Sequence, residues 1–322
     1  MDKEYMKETF EKMMRIRKFD MWMHDNIAAG NDPFVGIMHS HVGEEGYSSA
    51  VISQLREDDY LSTTYRNHAH SIARGISLKK LAAEVCGKKT GCCRGRAGNM
   101  HAIDQDLNII AGFGIIGAGL PATVGTAFAA KYKGTDQIAV AFFGDGAVAQ
   151  GACHESLNLA STLKLPVLFI NNNNRYAMST PVAHDLAAKS TTEYAKAHQI
   201  PAETCDGMDF FAAYEAAKRG IEHVRSTGTP YFIEYDCFRY HGQWEGDPQY
   251  YKDPKEVEAY LKRDPIALFQ KGALERGLLT QEEMDAIEKD VERQVEEAME
   301  YAIASEAPGL EDIMTDIYAS EY

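Results

Sequence analysis

The sequence predicts an α/β fold, in which a mostly parallel sheet carries helices on both faces and a helical tail closes the chain. A short apolar run at 138–143 ends at Gly144-Asp-Gly146, as a buried parallel strand does where it enters a turn. Residues 149–164 have the pattern of a helix, and a second run of β-branched and aromatic residues follows at 167–170. Strand, helix and strand in this order indicate two parallel strands joined by a crossover.

The segments on either side of this unit predict further elements. Residues 3–28 carry apolar side chains at roughly helical spacing, and Thr280 with Glu283 forms a capping box before a long final helix. The apolar run at 231–238 predicts another strand. No Pro-, Ser- or Gly-rich linker and no repeat divides the sequence. We therefore expect one domain over 1–322, with a helical tail from about 255.

The composition excludes several classes of function. Against 33 Lys and Arg the chain carries 48 Asp and Glu, a formal charge of −15, which repels nucleic acid and anionic membranes. No signal-peptide pattern is present, and no apolar window reaches the ~18 residues that cross a bilayer, so we expect a cytoplasmic location. The six cysteines are scattered, and the adjacent Cys92 and Cys93 lack the Cys-x-x-Cys spacing of a zinc site. We expect reduced, structural thiols.

Polar side chains follow both strands of the predicted strand–helix–strand unit. Asp145 and Asn174 are separated by one helix and one strand, so both are expected at the carboxyl edge of the sheet, where open α/β sheets bind ligands. Their oxygens are hard ligands of the kind that Mg²⁺ prefers, and Gly144 and Gly146 let a phosphate approach the backbone. Each half alone is also typical of an ordinary turn or polar loop. Together they predict a cradle for a metal ion and a diphosphate.

Longer motifs extend this pattern along the chain. They are His39-x-x-x-Gly43-Glu-Glu, Tyr65-Arg66-x-His68, Gly91-Cys-Cys-Arg-Gly-Arg-Ala-Gly-Asn-Met-His101, Gly112-Phe-Gly-Ile-Ile-Gly117, Phe169-Ile-Asn-Asn-Asn-Asn-Arg-Tyr176 and Arg239-Tyr-His-Gly-x-x-x-Gly246-Asp-Pro. With these motifs the chain, from about 39 to 264, resembles the alpha subunit of the thiamine diphosphate-dependent first component of 2-oxo acid dehydrogenase complexes, of the acetoin and pyruvate dehydrogenase type. The resemblance implies a thiamine diphosphate-binding fold, with thiamine diphosphate and Mg²⁺ as cofactors.

The resemblance also implies which residues form the site. Asp145, the Asn174 side chain and the Tyr176 carbonyl match the family's Mg²⁺ ligands. Arg66 matches a cofactor contact of the family. A planar guanidinium suits a diphosphate, because it can bond two phosphate oxygens at once. A surface salt bridge is the ordinary alternative for an arginine. The positions that match cofactor contacts are Tyr65, Arg66, Gly114, Ile116, Gly144, Asp145, Gly146, Ala147, Asn174 and Tyr176.

The segment Gly112-x-Gly-x-x-Gly117 also fits the dinucleotide-binding fingerprint. The apolar run before it is short, however, and the acid expected about twenty residues later, at the end of the next strand, is missing because Asp136 precedes its strand. We therefore expect a tight loop beside the thiamine cofactor at this place, and not a nicotinamide site.

Two histidines are candidate catalytic residues. His39 matches a family position that faces substrate and cofactor, where a group titrating near neutrality orients a carboxylate or relays a proton. His241 precedes Gln243, which stands where the family usually has a histidine beside the reacting centre. Glutamine forms hydrogen bonds but exchanges no proton at neutral pH. The histidines interpreted as ordinary loop or core residues are His24, His184, His198 and His223.

For the activity, the resemblance implies the alpha subunit of an acetoin or pyruvate dehydrogenase first component, which cleaves or decarboxylates a small ketone or 2-oxo acid and passes the acyl unit to lipoamide. It implies as partners a beta subunit that supplies the glutamate activating the aminopyrimidine, in an α₂β₂ assembly, and a lipoyl-bearing acyltransferase. The segment Glu245-Gly-Asp-Pro-Gln-x-Tyr251 resembles the acetoin enzymes more than the branched-chain ones. A split transketolase-like ketol transferase and a non-catalytic scaffold subunit stay open as alternatives.

Overall fold

A six-stranded parallel sheet forms the centre of the computed structural model, which describes residues 1–317. The strands are β1 (Tyr60–Thr64), β2 (Ile109–Phe113), β3 (Ala139–Gly144), β4 (Val167–Asn173), β5 (Tyr176–Ala177), β6 (Thr180–Pro181), β7 (Ala202–Asp206) and β8 (Tyr231–Asp236). The sheet has the spatial order β2-β1-β3-β4-β8-β7, and β5 and β6 form a separate antiparallel pair. The predicted α/β class is confirmed.

Helices cover both faces of the sheet. They are α1 (Lys3–Ala28), α2 (Glu45–Ile52), α3 (Asn67–Arg74), α4 (Leu78–Val85), α5 (Gly98–His101), α6 (Gly119–Lys133), α7 (Gly151–Leu163), α8 (Val182–Asp185), α9 (Thr192–Ala197), α10 (Phe210–Thr227), α11 (Pro254–Leu261), α12 (Pro265–Glu275) and α13 (Gln281–Ala304). The first helix has the predicted bounds, because the Asp2 side chain accepts a hydrogen bond from the Tyr5 N–H and caps it. Within the described residues, no helix is long and apolar enough to span a membrane.

Residues along β3 alternate between two apolar cores, as the pleat of a strand requires. Val140 and Phe142 belong to the core that includes residues of α1, α2 and α10, whereas Ala141 and Phe143 belong to the core that includes residues of α6 and α7. Because both faces are buried, the strand is continuously apolar in sequence, and its position could be predicted from that run.

Some elements differ from the prediction. The strand predicted at 138–143 is shifted by one residue, the helix predicted at 149–164 is Gly151–Leu163, and the strand predicted at 231–238 ends at Asp236. The strands β1, β2 and β7 were missed. Two of them, with the sequences YLSTT and AETCD, mix polar residues into a short run and so lack the apolar signal of β3.

The helical tail packs on the start of the chain. It begins with α11 at Pro254, and α13 lies against α1 and α4. The predicted capping box is present, since Glu283 N–H donates to the Thr280 hydroxyl and the Glu283 carboxylate accepts from Thr280 N–H. All six cysteines are free thiols, as expected. A division into one domain stays a prediction.

Candidate active site

A cavity of about 360 Å³ opens at the carboxyl ends of β1, β3 and β4. The chain passes from β1 to β2 on one side and then to β3 on the other, so the cavity lies where the strand order reverses, the usual ligand site of open parallel sheets. Most residues predicted to contact a cofactor line it. They are Tyr65, Arg66, Ile116, Gly144, Asp145, Gly146, Ala147, Asn174 and Tyr176.

Two buried oxygens face this cavity without a hydrogen-bond partner among the described residues. They are Oδ2 of Asp145, which is 2% exposed, and Oδ1 of Asn174, which is 6% exposed. Burial raises the pKa of Asp145 to about 7, and the positive charge of Arg239 offsets this effect only in part. An unpaired buried acceptor of this kind is unfavourable in a folded protein unless a ligand satisfies it. Both residues were singled out from the sequence.

Glu44 holds the asparagines of this site. Its carboxylate, fully buried, accepts hydrogen bonds from the side-chain amides of Asn172 at 2.6 Å and Asn174 at 2.8 Å. Because the amide nitrogen of Asn174 donates to Glu44, its Oδ1 is the atom left open toward the cavity. We refer to Asp145, Asn174 and Glu44 as the strand-end site. Glu44 was not predicted, since nothing in the segment Gly43-Glu-Glu45 distinguishes its role from that of an ordinary surface acid.

The turn after β3 brings the backbone close to the cavity. Residues Asp145–Ala147 form a single 3₁₀ turn, and α7 begins only at Gly151, so the helix start lies further from Gly146 than the sequence suggested. A Cβ on Gly146 would stand 2.7 Å from the Cβ of Ala177, closer than two carbon atoms approach. The glycine is therefore required by packing against the β5 segment.

The third predicted metal ligand, the Tyr176 carbonyl, lies in the same region. The residue is 6% exposed and lines the cavity, and its hydroxyl donates to Glu256 at 2.6 Å. Its carbonyl has a long contact of 3.5 Å with Nη1 of Arg239. The sequence-predicted residues Asp145, Asn174 and Tyr176 are thus brought to one cavity.

Arg66 lies in the interior and is no surface ion pair. It is 3% exposed, and its guanidinium donates to the carbonyls of Ser40 at 2.5 Å and Gln243 at 2.9 Å. The ordinary alternative of a surface salt bridge is wrong for this residue. Arg66 joins the loop before α2 to the loop after β8, and it lines the cavity from between them.

The candidate catalytic histidines and Gly114 do not line the cavity. His39 is 5% exposed and packs against the ring of Tyr65 with 4.7 Å between ring centroids. Burial and the neighbouring Arg66 lower the pKa of His39 to about 3, so the imidazole is neutral at physiological pH. His241 bonds through Nδ1 to Glu245 at 2.9 Å, whereas Gln243 of the same loop does line the cavity. Catalytic roles for His39 and His241 stay predictions.

The inner end of the cavity contains residues that the sequence did not indicate. His41, Tyr47 and His70 are buried and line it. His70 packs on Phe142 with 4.3 Å between ring centroids, and burial lowers its pKa to about 3. His41 lies inside the motif His39-x-x-x-Gly43-Glu-Glu and His70 lies two residues after His68, but a lone histidine carries no signal of burial.

A buried lysine fixes the loop after β8. The Lys252 ammonium donates to the carbonyls of Arg239 at 2.7 Å and His241 at 2.5 Å, and to Gln249 Oε1 at 2.8 Å. Burial, with the positive charge of Arg239, lowers the pKa of Lys252 to about 7. The loop that carries Gln243 into the cavity is thus held from behind by side-chain contacts.

Unpaired acceptor oxygens thus face a cavity at the place where the strand order of the parallel sheet reverses. This arrangement is typical of a ligand-binding chain of an α/β enzyme. Residues 11–311 match the family model described as dehydrogenase E1 component, and the chain belongs to that family. It is 37% identical over 321 residues to the alpha subunit of acetoin:2,6-dichlorophenolindophenol oxidoreductase from Cupriavidus necator, covering 99% of this chain and 96% of the relative.

Two further relatives agree with this assignment. The alpha subunit of acetoin:2,6-dichlorophenolindophenol oxidoreductase from Bacillus subtilis is 38% identical, and the match covers 97% of this chain and 92% of the relative. The pyruvate dehydrogenase E1 component subunit alpha from Rickettsia bellii is 36% identical, and the match covers 98% of this chain and 96% of the relative. The chain is therefore an alpha-type chain of an E1 oxidoreductase, and membership of this family implies thiamine diphosphate as the cofactor.

Proposed function

We propose that this chain holds the Mg²⁺ and diphosphate half of the active site in a thiamine diphosphate-dependent dehydrogenase acting on acetoin or pyruvate. A beta subunit would complete the site, as the alpha designation of the relatives suggests. The observation that carries the proposal is the pair of buried oxygens on Asp145 and Asn174 that have no partner among the described residues, which suits a hard cation.

The residues present fit the proposed cofactors. Asp145, the Asn174 side chain and the Tyr176 carbonyl would hold Mg²⁺, which takes oxygen ligands and shares its remaining positions with phosphate oxygens. Around the diphosphate and the thiazolium we place Tyr65, Arg66, Gly114, Ile116, Gly144, Gly146 and Ala147. When bound, thiamine diphosphate supplies the nucleophilic carbon and the electron sink that cleavage next to a carbonyl requires.

The protein's own contribution is to orient the groups that face the cavity. Glu44 fixes the Asn174 amide so that its oxygen is left toward the cavity, where it would be available to a cation, and a bound cation would favour the ionised form of Asp145. Gln243 reaches the cavity as a donor and acceptor of hydrogen bonds, and it transfers no proton at neutral pH. A proton needed during acyl transfer would therefore come from another group, and His241 is the proposed candidate. His39, which is neutral at physiological pH, would act by hydrogen bonding to the substrate or cofactor.

The proposed substrate is a small ketone or 2-oxo acid, with acetoin preferred because two relatives carry acetoin in their names and the segment after Gln243 resembles the acetoin enzymes. A lipoyl-bearing acyltransferase is the proposed acceptor of the acyl unit. A cytoplasmic location also stays a prediction.

Dye reduction tests this function. The chain is co-purified with the beta-type subunit, loaded with thiamine diphosphate and Mg²⁺, and given acetoin or pyruvate with 2,6-dichlorophenolindophenol. We expect the dye to be reduced with one of the two substrates. Transfer of a ketol unit to a sugar phosphate without dye reduction would replace the proposal with the transketolase-like alternative. Inactivity together with failure to bind thiamine diphosphate would instead indicate a non-catalytic scaffold subunit.

A further inference from the structure

A second cluster of metal-ligating side chains lies outside the cavity. His24 on α1 places Nδ1 2.6 Å from Oε2 of Glu245, and His241 places Nδ1 2.9 Å from Oε1 of the same carboxylate. The two imidazole rings pack against each other with 4.1 Å between centroids. Three possible ligand atoms, two nitrogens and one oxygen, thus lie within 4.8 Å of one another.

We propose that His24, His241 and Glu245 form a binding site for a transition-metal ion, with Zn²⁺ as the best match. Two imidazoles and one carboxylate are a ligand set found in three-ligand zinc sites, which leave a fourth position to water or another small ligand. Around tetrahedral zinc, neighbouring ligand atoms are separated by roughly 3.3 Å. Side-chain movements of about an ångström therefore suffice to convert the present contacts into coordination.

The surroundings also suit an ion. Glu245 is largely buried, with 6% of its side chain exposed, so its charge lies close to the two rings, whereas His24 is 37% exposed and gives solvent access. The Lys252 ammonium bonds the carbonyl of His241 and not its imidazole. Glu245 N–H donates to the carbonyl of Met38 at 2.9 Å, which fixes the backbone that presents the carboxylate.

The chemistry of this cluster differs from that of the other two candidate sites. The strand-end site offers only oxygen atoms, which favour Mg²⁺, whereas imidazole nitrogens favour Zn²⁺. The group of Glu84, Cys92 and Cys93 has thiols, but both oxygens of Glu84 already accept backbone N–H bonds from the surrounding loop. Of these, only the histidine cluster combines imidazole nitrogens with an adjacent carboxylate, and its Nδ1 atoms bond only to that carboxylate.

A bound ion would tie the first helix to the active-site loop. His24 is 221 residues from Glu245 in sequence, and the two loop ligands, His241 and Glu245, flank Gln243, which lines the cavity. The ion would hold this loop from outside the cavity while Gln243 faces its inside. The site shares no residue with the proposed Mg²⁺ and diphosphate site, so zinc binding and cofactor binding are measured independently. A bound ion would occupy the His241 imidazole, so proton transfer by His241 would require the zinc-free chain.

The test is calorimetric titration of Zn²⁺ into the full-length chain in excess Mg²⁺, which keeps the oxygen-only site from contributing. We expect about one Zn²⁺ per chain. His24→Ala should weaken binding by more than the 10–100-fold that loss of an outer-shell partner causes, because it removes a ligand. Glu245→Gln, which keeps the shape of the side chain, should weaken it as well. His223→Ala is the control for loss of a histidine elsewhere and should bind as the wild type does.

X-ray absorption at the zinc edge identifies the ligands. Nitrogen and oxygen neighbours at roughly 2.0–2.2 Å support the site, whereas sulfur at about 2.3 Å would assign the ion to Cys92 and Cys93 and overturn it. Equal melting temperatures of His24→Ala and wild type in a chelator would show that the variant is folded. Absence of Zn²⁺ binding in the wild type, or unchanged affinity in folded His24→Ala, would also overturn the proposal.

Discussion

The strand-end site and the helical layer formed by α1, α12 and α13 differ in how completely their side chains are paired. In the layer, Phe10 stacks on Phe269 at 5.3 Å between centroids, and Lys18 pairs with Glu288 at 2.7 Å and Glu292 at 2.6 Å. At the strand-end site, buried oxygens have no partner among the described residues. The contacts of the layer stabilise the fold, whereas the unpaired oxygens of the strand-end site are unfavourable unless a ligand satisfies them.

The largest expected effect is in the layer. Phe10 is fully buried, so Phe10→Ala should lower the free energy of unfolding by about 3–5 kcal/mol through lost burial and a residual cavity. Urea denaturation measures this change. The affinity for thiamine diphosphate of the folded complex should not change, and a clear loss of affinity would show that the two regions are not separate.

Asp145→Ala tests the strand-end site in the same complex. It should weaken Mg²⁺-dependent thiamine diphosphate binding by about 100-fold or more, roughly 2.7 kcal/mol, because the cation loses the one charged ligand that this chain is proposed to supply. The chain should remain folded, since the substitution removes an uncompensated buried carboxylate. Asp185→Asn, which changes another acid lining the cavity, serves as the control. Unchanged affinity in Asp145→Ala would refute the metal assignment.

Glu44→Gln separates orientation from direct coordination. With one carboxylate oxygen replaced by NH₂, Glu44→Gln can no longer accept from both Asn172 and Asn174, and we expect a 10–100-fold loss of Mg²⁺ affinity. The neighbouring pair provides a matched control, because Asn173 donates to Glu234 at 2.8 Å and neither residue lines the cavity. Glu234→Gln should therefore leave the Mg²⁺ affinity unchanged; equal losses in the two variants would indicate a general packing effect.

The smallest expected effect is a pH dependence from the inner end of the cavity. His70 has its pKa lowered to about 3, so the unfolded chain binds a proton near pH 6.5 that the folded chain does not. Its contribution to stability is fully present at about pH 8 and has fallen by about 1.4 kcal/mol per histidine at roughly pH 5.5. Urea denaturation at the two pH values should show a shallower dependence for His70→Gln than for wild type or the exposed His184→Gln. An identical dependence would contradict the assignment.

The sequence indicated the residues with unpaired oxygens, Asp145 and Asn174, better than it indicated Glu44, which orients the Asn174 amide. Asp145 and Asn174 follow apolar strands at β3 and β4, so their position at the sheet edge could be predicted from the strand pattern. Glu44 could not, because its role depends on hydrogen bonds to Asn172 and Asn174, which are 128 and 130 residues away in sequence. The same holds for His70, whose burial results from tertiary packing.

The helical layer was predicted where local signals exist. The apolar spacing of α1 and the capping box at Thr280 are both short-range features, and each was confirmed. The pairing of His24 with Glu245 joins segments more than two hundred residues apart, so spacing along the chain gave no sign of it. Likewise, Arg66 looked like a possible surface ion pair until the structure placed it between two loops.

The most direct test of the central claim is a calorimetric titration of thiamine diphosphate into the complex of this chain with its beta-type subunit, with and without Mg²⁺. We predict tight binding that requires Mg²⁺, because the open oxygens of Asp145 and Asn174 need the cation before a diphosphate can approach them. Binding of equal strength in a chelator, or no binding in either condition, would contradict the proposal that the strand-end site holds the metal and the diphosphate.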